Sequence, residues 1–214
     1  MHPYSLDIKK NTRRNVIICI VFFTLVTYST FQKIGVISCL EHLEEKLDFV
    51  THGFISIMIT PMVIYSSYHY LFNNFIWKWK FVNKIIKVPN INGNYEGELQ
   101  SSYKIENSEE LPSPIKMTLT VKQNLDSITF ISEYPDTPSS SKSNMGALML
   151  YKDYTAEFIF AYSSRSEDIQ IENDQHDGMN TLSFNLLNGF IKGVYFNGRG
   201  KNPNKGIINL EKKN

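Results

Sequence analysis

The sequence predicts a membrane α-hairpin of two transmembrane helices followed by an all-β, eight-stranded up-and-down antiparallel β-barrel. Three observations carry this. Two long apolar runs free of Asp, Glu, Lys and Arg occupy the N-terminal part. Beyond Pro89 the hydrophobic period becomes two, the period of half-buried strands. Between the two regimes lies KIIKVPNINGNYEGELQSSY, residues 84–103, whose Pro-Asn and Gly-Asn steps mark a hinge. The chain then divides into an N-terminal cytoplasmic segment (1–14), two spans within 15–80 (about 15–40 and 49–77), a linker (81–92) and a cytoplasmic ligand-sensing barrel (93–214).

The first span opens with NVIICIVFFTLVTYSTFQ, residues 15–32, and resumes after Lys33 as IGVISCL. About 20 apolar residues cross a bilayer core. A cleaved signal peptide is the rival, but no small-x-small cleavage site follows. Residues 49–77 form the second span, with Pro61 in mid-segment, where it can kink the axis, and Trp77 and Trp79 at the end, where aromatic belts lie. A pair of buried soluble helices is the bland alternative. Lys9, Lys10, Arg13 and Arg14 precede the first span and Lys78, Lys80, Lys84 and Lys87 follow the second, while the connection EHLEEKLD is acidic. Basic flanks stay in the cytoplasm, so both termini are expected there. Ser56, Thr60, Ser66, Ser67 and His69 offer hydrogen bonds between helices.

Eight strands are expected at about 94–105, 115–124, 127–134, 145–151, 154–162, 180–187, 190–198 and 206–212. Closure of such a meander removes exposed edges, and a barrel of eight strands fills with side chains or holds one small ligand. Connections nearest the membrane are tight, at Leu125–Ser127, Lys152–Asp153 and Leu187–Gly189. The far-end connections, 106–114, 135–144, 163–179 and 199–205, are long, so the ligand-binding mouth is expected there.

Charge and composition exclude several classes. Residues 1–89 hold ten Lys/Arg against five Asp/Glu, and residues 90–214 hold twelve against sixteen. An acidic C-terminal part is not built to lie along a nucleic acid polymer. Cys19 and Cys39, in apolar surroundings, make neither a disulfide framework nor a zinc cluster, and no metal or cofactor is expected. The barrel contains no Cys and a single His, His176, in the acidic turn ENDQHDG; SSSKS, residues 139–143, reads as a flexible loop rather than a nucleophile elbow. No catalytic cluster emerges, so the protein is not expected to be an enzyme.

Two membrane helices, the stretch KIIKVPNINGNYEGEL and a short β-rich domain closing with GVYFNGRG and KGIINL resemble the CD-NTase-associated protein 15 family, effectors of bacterial anti-phage signalling (CBASS). The strongest local signal is Pro89, Ile91, Gly93, Tyr95 and Gly97, with Tyr95 where the family often has Trp. The resemblance implies that the barrel binds a 3′,3′-type cyclic dinucleotide made by a cognate nucleotidyltransferase. It further implies that binding drives homo-oligomerisation and that the helices then disrupt the bacterial inner membrane, causing abortive infection. A membrane-tethered, lipocalin-like barrel holding an apolar ligand is the alternative.

A cyclic dinucleotide needs cations or N–H groups for its phosphates and aromatic faces for its bases. The barrel has only two arginines, Arg165 and Arg199, both in or beside far-end connections; Arg199 stands between Asn197 and Lys201. Tyr103, Tyr134 and Tyr162 end their strands at the same mouth. The expected ligand-binding set is Arg199, Asn197, Tyr195, Arg165, Lys201, Tyr103 and Tyr162. Inward placement of Tyr195 and Asn197 depends on the phase of their strand, where Phe190, Val194 and Phe196 compete with Ile191 for the interior. The bland reading leaves Arg199 solvated in a hairpin turn and the tyrosines in the core. Gly93 and Gly97 are expected to permit a tight bend or close strand packing.

Overall fold

The computed structural model describes residues 1–6, 12–36, 60–102, 111–137, 139–150, 154–166, 176–198 and 204–213. The chain forms two compact units, Met1–Ile8 with Lys87–Asn214, and Lys9–Ile86.

The first unit is a closed barrel of nine strands, one more than expected. Strand β1 (His2–Leu6) comes from the extreme N-terminal segment. The meander β2 (Gly93–Ser101), β3 (Ile115–Gln123), β4 (Ser127–Tyr134), β5 (Ser139–Leu150), β6 (Thr155–Ser166), β7 (His176–Asn185), β8 (Phe190–Asn197) and β9 (Asn204–Lys212) runs antiparallel throughout, and β9 returns to pair with β2. β4 and β5 pair only through Ile131–Tyr134 and Ser139–Lys142. A register shift between Ser143 and Met145 then separates them, and β1 fills the opening, antiparallel to β4 and parallel to β5. Five residues too short to show alternation thus close the barrel. Ser143 Oγ accepts from the Phe130 N–H at 2.9 Å and lies 2.7 Å from His2 Nε2, which satisfies backbone and side chain where the two strands part. Burial holds the His2 imidazole below its ordinary value.

The half of the barrel interior nearest Gln123 is apolar and filled. Phe130 stacks on Phe160 with ring centroids 4.1 Å apart, and Phe158 and Phe184 meet them edge-on or tilted. Below them the buried Gln123 amide closes that end. Its Nε2 donates to Tyr4 Oη at 3.1 Å and to the Pro89 carbonyl at 3.0 Å, and its Oε1 accepts from the Ile91 N–H at 3.0 Å. Tyr95 donates to the Ile91 carbonyl at 2.9 Å. Gly97 lies where a Cβ would meet the Asn209 carbonyl at 2.1 Å, so only glycine permits this approach of β2 to β9. The tight turns at this end are held by asparagines. Asn124 Oδ1 accepts from Asp126 N and Ser127 N, and Asn185 Oδ1 from Leu187 N, with Gly189 at φ 75° finishing the second turn. The expected turn at Lys152–Asp153 lies outside the described residues.

The second unit contains α1 (Thr12–Lys33), α2 (Pro61–Asn74), a 3₁₀ turn (Ile76–Lys78) and α3 (Lys80–Ile86). α1 is long and apolar enough to cross a membrane, and it exposes large apolar side chains such as Ile18, Phe22 and Phe23. The helix is interrupted after Lys33, where Gly35 at φ 73° takes the left-handed position that stops a helix, and residues 37–40 of the expected span lie outside the described residues. The second expected span is described only from Thr60 onward; residues 49–59 lie outside the described residues. Pro61 does not kink a helix there but starts α2, with Thr60 extended (ψ 149°) and its side chain capping Val63 N. Thr60 and Ser67 spend their hydroxyls on their own helix, and Ser56 lies outside the described residues. Among the described residues, Thr27 Oγ1 and Tyr68 Oη make a polar bond between α1 and α2 at 2.8 Å.

Candidate functional site

The far half of the barrel interior differs in kind from the near half. Strand alternation points Ser101, Ser132, Ser141, Ser164 and Asn180 inward, and all are buried. The strand phase left open by the sequence is decided at β8. Ile191 and Tyr195 are buried while Phe190, Val194 and Phe196 are exposed, so Asn197 also faces inward. The result is a polar chamber above an aromatic floor.

Three tyrosines stand in it. Tyr162 pairs across the strands with Gly178, and a Cβ on that glycine would meet the Tyr162 ring at 2.4 Å. Tyr195 pairs with Gly206 in the same way, with a 2.3 Å approach. Each ring therefore lies over a glycine, where any side chain would collide with it. Ser101 and Asn204 hydrogen-bond the Tyr195 hydroxyl, and Ser141 that of Tyr134. Burial pushes all three phenols above their ordinary value, and for Tyr162 the nearby Tyr134 and Tyr195 add to the rise. They are neutral at physiological pH and do not repel an anionic ligand.

Two acceptors in the chamber have no partner, Asn180 Oδ1 and Asn197 Oδ1, both fully shielded from solvent. Leaving such a group unsatisfied costs about 1–3 kcal/mol. Among the described residues, no cluster of His, Cys, Asp and Glu could hold a metal.

The site residues expected from sequence fare unequally. Tyr162, Tyr195 and Asn197 line the chamber together. Arg165 belongs to strand β6 rather than to a connection, in register with Ser140. Tyr103, Arg199 and Lys201 lie outside the described residues. SSSKS is not a loop: residues 139–143 open strand β5, paired on both sides. His176 likewise begins β7 instead of sitting in a turn. Sequence reading missed Ser141, Ser164 and Asn180. Their signal is a spacing of two among small polar residues, which hydropathy contrast cannot register.

A family model described as Cap15, cyclic dinucleotide receptor domain, matches residues 86–212, well over half of the chain. The chain belongs to the Cap15 family. No curated protein matches the chain. The Cap15 match begins just ahead of β2 and ends with β9, so it takes in the whole eight-stranded meander and the chamber, while β1 lies outside it. The barrel is thus a cyclic dinucleotide receptor domain of the Cap15 type.

Proposed function

We propose that this chain is a CBASS effector of the bacterial inner membrane. A cyclic dinucleotide of the 3′,3′ type, made by a cognate nucleotidyltransferase, enters the far end of the barrel; bound barrels associate, and the clustered helices breach the membrane and end the infection by killing the cell. The observation that carries this is the Cap15 receptor-domain match over a barrel whose interior is polar at one end and sealed at the other. The chamber residues Asn197, Tyr195 and Tyr162 take the flat and polar parts of the ligand. In this reading Arg165, Arg199 and Lys201 supply cations for the phosphates, and Tyr103 adds an aromatic face.

Chain connectivity supports a hairpin with both termini in the cytoplasm. The chain leaves the barrel after β1 and re-enters it at β2. Both strands belong to one folded body on one side of the bilayer, so the intervening helices cross an even number of times. The rival reading, an apolar cargo carrier, fits neither half: the near half is filled by stacked phenyl rings, and the far half is lined with hydroxyls and amides.

Calorimetry on the detergent-solubilised full chain tests the reading. A 3′,3′-type cyclic dinucleotide should bind, and Arg199→Ala should weaken it by roughly 1.5–3 kcal/mol through loss of a charged hydrogen bond to phosphate. A folded chain that binds no cyclic dinucleotide would overturn it.

A further inference from the structure

Asn180 on β7 stands opposite Tyr195 on β8, and Gly178 opposite Asn197. The two asparagines are therefore diagonal neighbours on one inner face, about 7–8 Å apart at the backbone, within reach of two amide arms converging on one small group. Asn180 is 4% exposed, and the carbonyl oxygens of both side chains are buried without a donor. Gly178 lies between them on the same face and carries the Tyr162 ring, which a Cβ there would meet at 2.4 Å.

The chamber's charge narrows what can fill it. Among the described residues, the inward positions at the far end of its strands hold mainly Ser, Tyr, Asn and Gly, with Ile115 and Met117 on β3 and His176 in the same register as Gly178 and Asn180, and no Lys, Arg, Asp or Glu. A phosphate would find two carbonyl oxygens facing it, which repel it. A nucleobase finds tyrosine faces for stacking and acceptors for its N–H groups. Two unpaired acceptors side by side call for two donors side by side. On their Watson–Crick edges adenine and cytosine pair an exocyclic amine with a ring acceptor, and uracil offers a single ring N–H between two carbonyls. Guanine alone presents a ring N–H beside an exocyclic amine.

We propose that the chamber receives a guanine base edge-first, with Asn180 and Asn197 as the acceptors that select it and the phosphates left at the rim. This rests on the proposed function and adds which part of the ligand goes inward and which base the chain prefers. The orphaned acceptors are then the cost of selectivity in the empty receptor. A base that lacks the donors leaves them unpaired and is rejected, as sites built to hydrogen-bond a substrate reject analogues without the bonding group.

The test uses the full chain in detergent with cyclic di-GMP, cyclic di-AMP and cyclic di-UMP as probes, with Asn180→Leu and Asn197→Leu variants and the acceptor-retaining Asn180→Asp. Cyclic di-GMP should bind more tightly than the other two. Each Leu variant should lose about 10- to 100-fold of that affinity while its weaker binding of cyclic di-AMP is unchanged. Asn180→Asp should keep the guanine preference. Thermal melting gives the second readout: relief of a buried unpaired acceptor should raise the melting temperature of the unliganded Leu variants, whereas removal of a structural hydrogen bond would lower it. Equal affinity for the three probes, or guanine preference surviving in both Leu variants, or lowered melting temperatures in both, would overturn the assignment. Absence of binding by every cyclic dinucleotide would instead overturn the functional reading beneath it, and this inference with it.

Discussion

Tyr95 shows how a single side chain can link the fold to solvent conditions. Burial pushes its phenol up to about 12 from 10.0, and Tyr134, Tyr162 and Tyr195 are shifted the same way. The folded state holds these protons more tightly than the unfolded chain does. Their contribution to stability is therefore whole below pH 10 and is lost as pH rises through the raised values. Ionisation of Tyr95 would also remove the donor to the Ile91 carbonyl. An alkaline titration followed by ultraviolet absorbance should show these phenols ionising only as circular dichroism reports unfolding. Their ionisation near pH 10 with the fold intact would contradict the burial described. At this scale the sequence was partly legible. Tyr162, Tyr195 and Asn197 stood out as aromatic and amide groups near strand ends. Asn180 did not, because nothing in NTLSF reveals that its neighbour across the sheet is Tyr195 rather than solvent.

Among the elements, β1 carries the least sequence signal for its structural weight. Tyr4 is buried in the barrel core, donates to the Asn124 carbonyl at 3.1 Å and accepts from Gln123 at 3.1 Å. Tyr4→Ala should remove that packing and leave Gln123 without one partner, a loss of about 3–5 kcal/mol by the usual range for large aromatic truncations. Denaturant unfolding of the detergent-solubilised full chain, read by near-ultraviolet circular dichroism, measures it. A midpoint equal to that of the parent would mean that β1 does not close the barrel. It follows that a fragment limited to residues 90–214 would lack one strand and leave β4 and β5 parted at Ser143. The strands β5 and β7 carry the converse lesson. Their chamber ends, Ser139–Asn144 and His176–Met179, were not expected to be strands. Hydropathy alternation needs an apolar inner face, and a strand lining a polar chamber has none.

For the whole molecule, β1 and β2 tie both ends of the helical segment to one barrel, and this constrains how the proposed killing activity can be dissected. Replacing the helices with a single inert span would put β1 and the meander on opposite sides of the membrane and break the barrel. Two poly-leucine spans preserve the parity. With that replacement the chain should still bind ligand and cluster, yet lose the bond between Thr27 and Tyr68 and spare the bilayer. Entry of a membrane-impermeant dye into cells co-expressing the nucleotide synthase reports the outcome. Dye entry equal to that of the parent would place the killing activity outside the helices.

The sequence by itself determined the division into apolar helices and an alternating β part, the up-and-down order of the eight meander strands, and two tight turns at one end of the barrel. Those features rest on local hydropathy and turn chemistry, which Asn124, Asn185 and Gly189 express within a few residues. The Pro89–Gly97 stretch and the closing GVYFNGRG also carried the family. Only the tertiary structure decided the ninth strand, the phase of β8 and the polar chamber. Each of these depends on which residues face each other across strands far apart in sequence: Tyr4 beside Gly146, Asn180 opposite Tyr195, Tyr162 over Gly178. Barrel closure sets those pairings all at once, and no single segment contains the information.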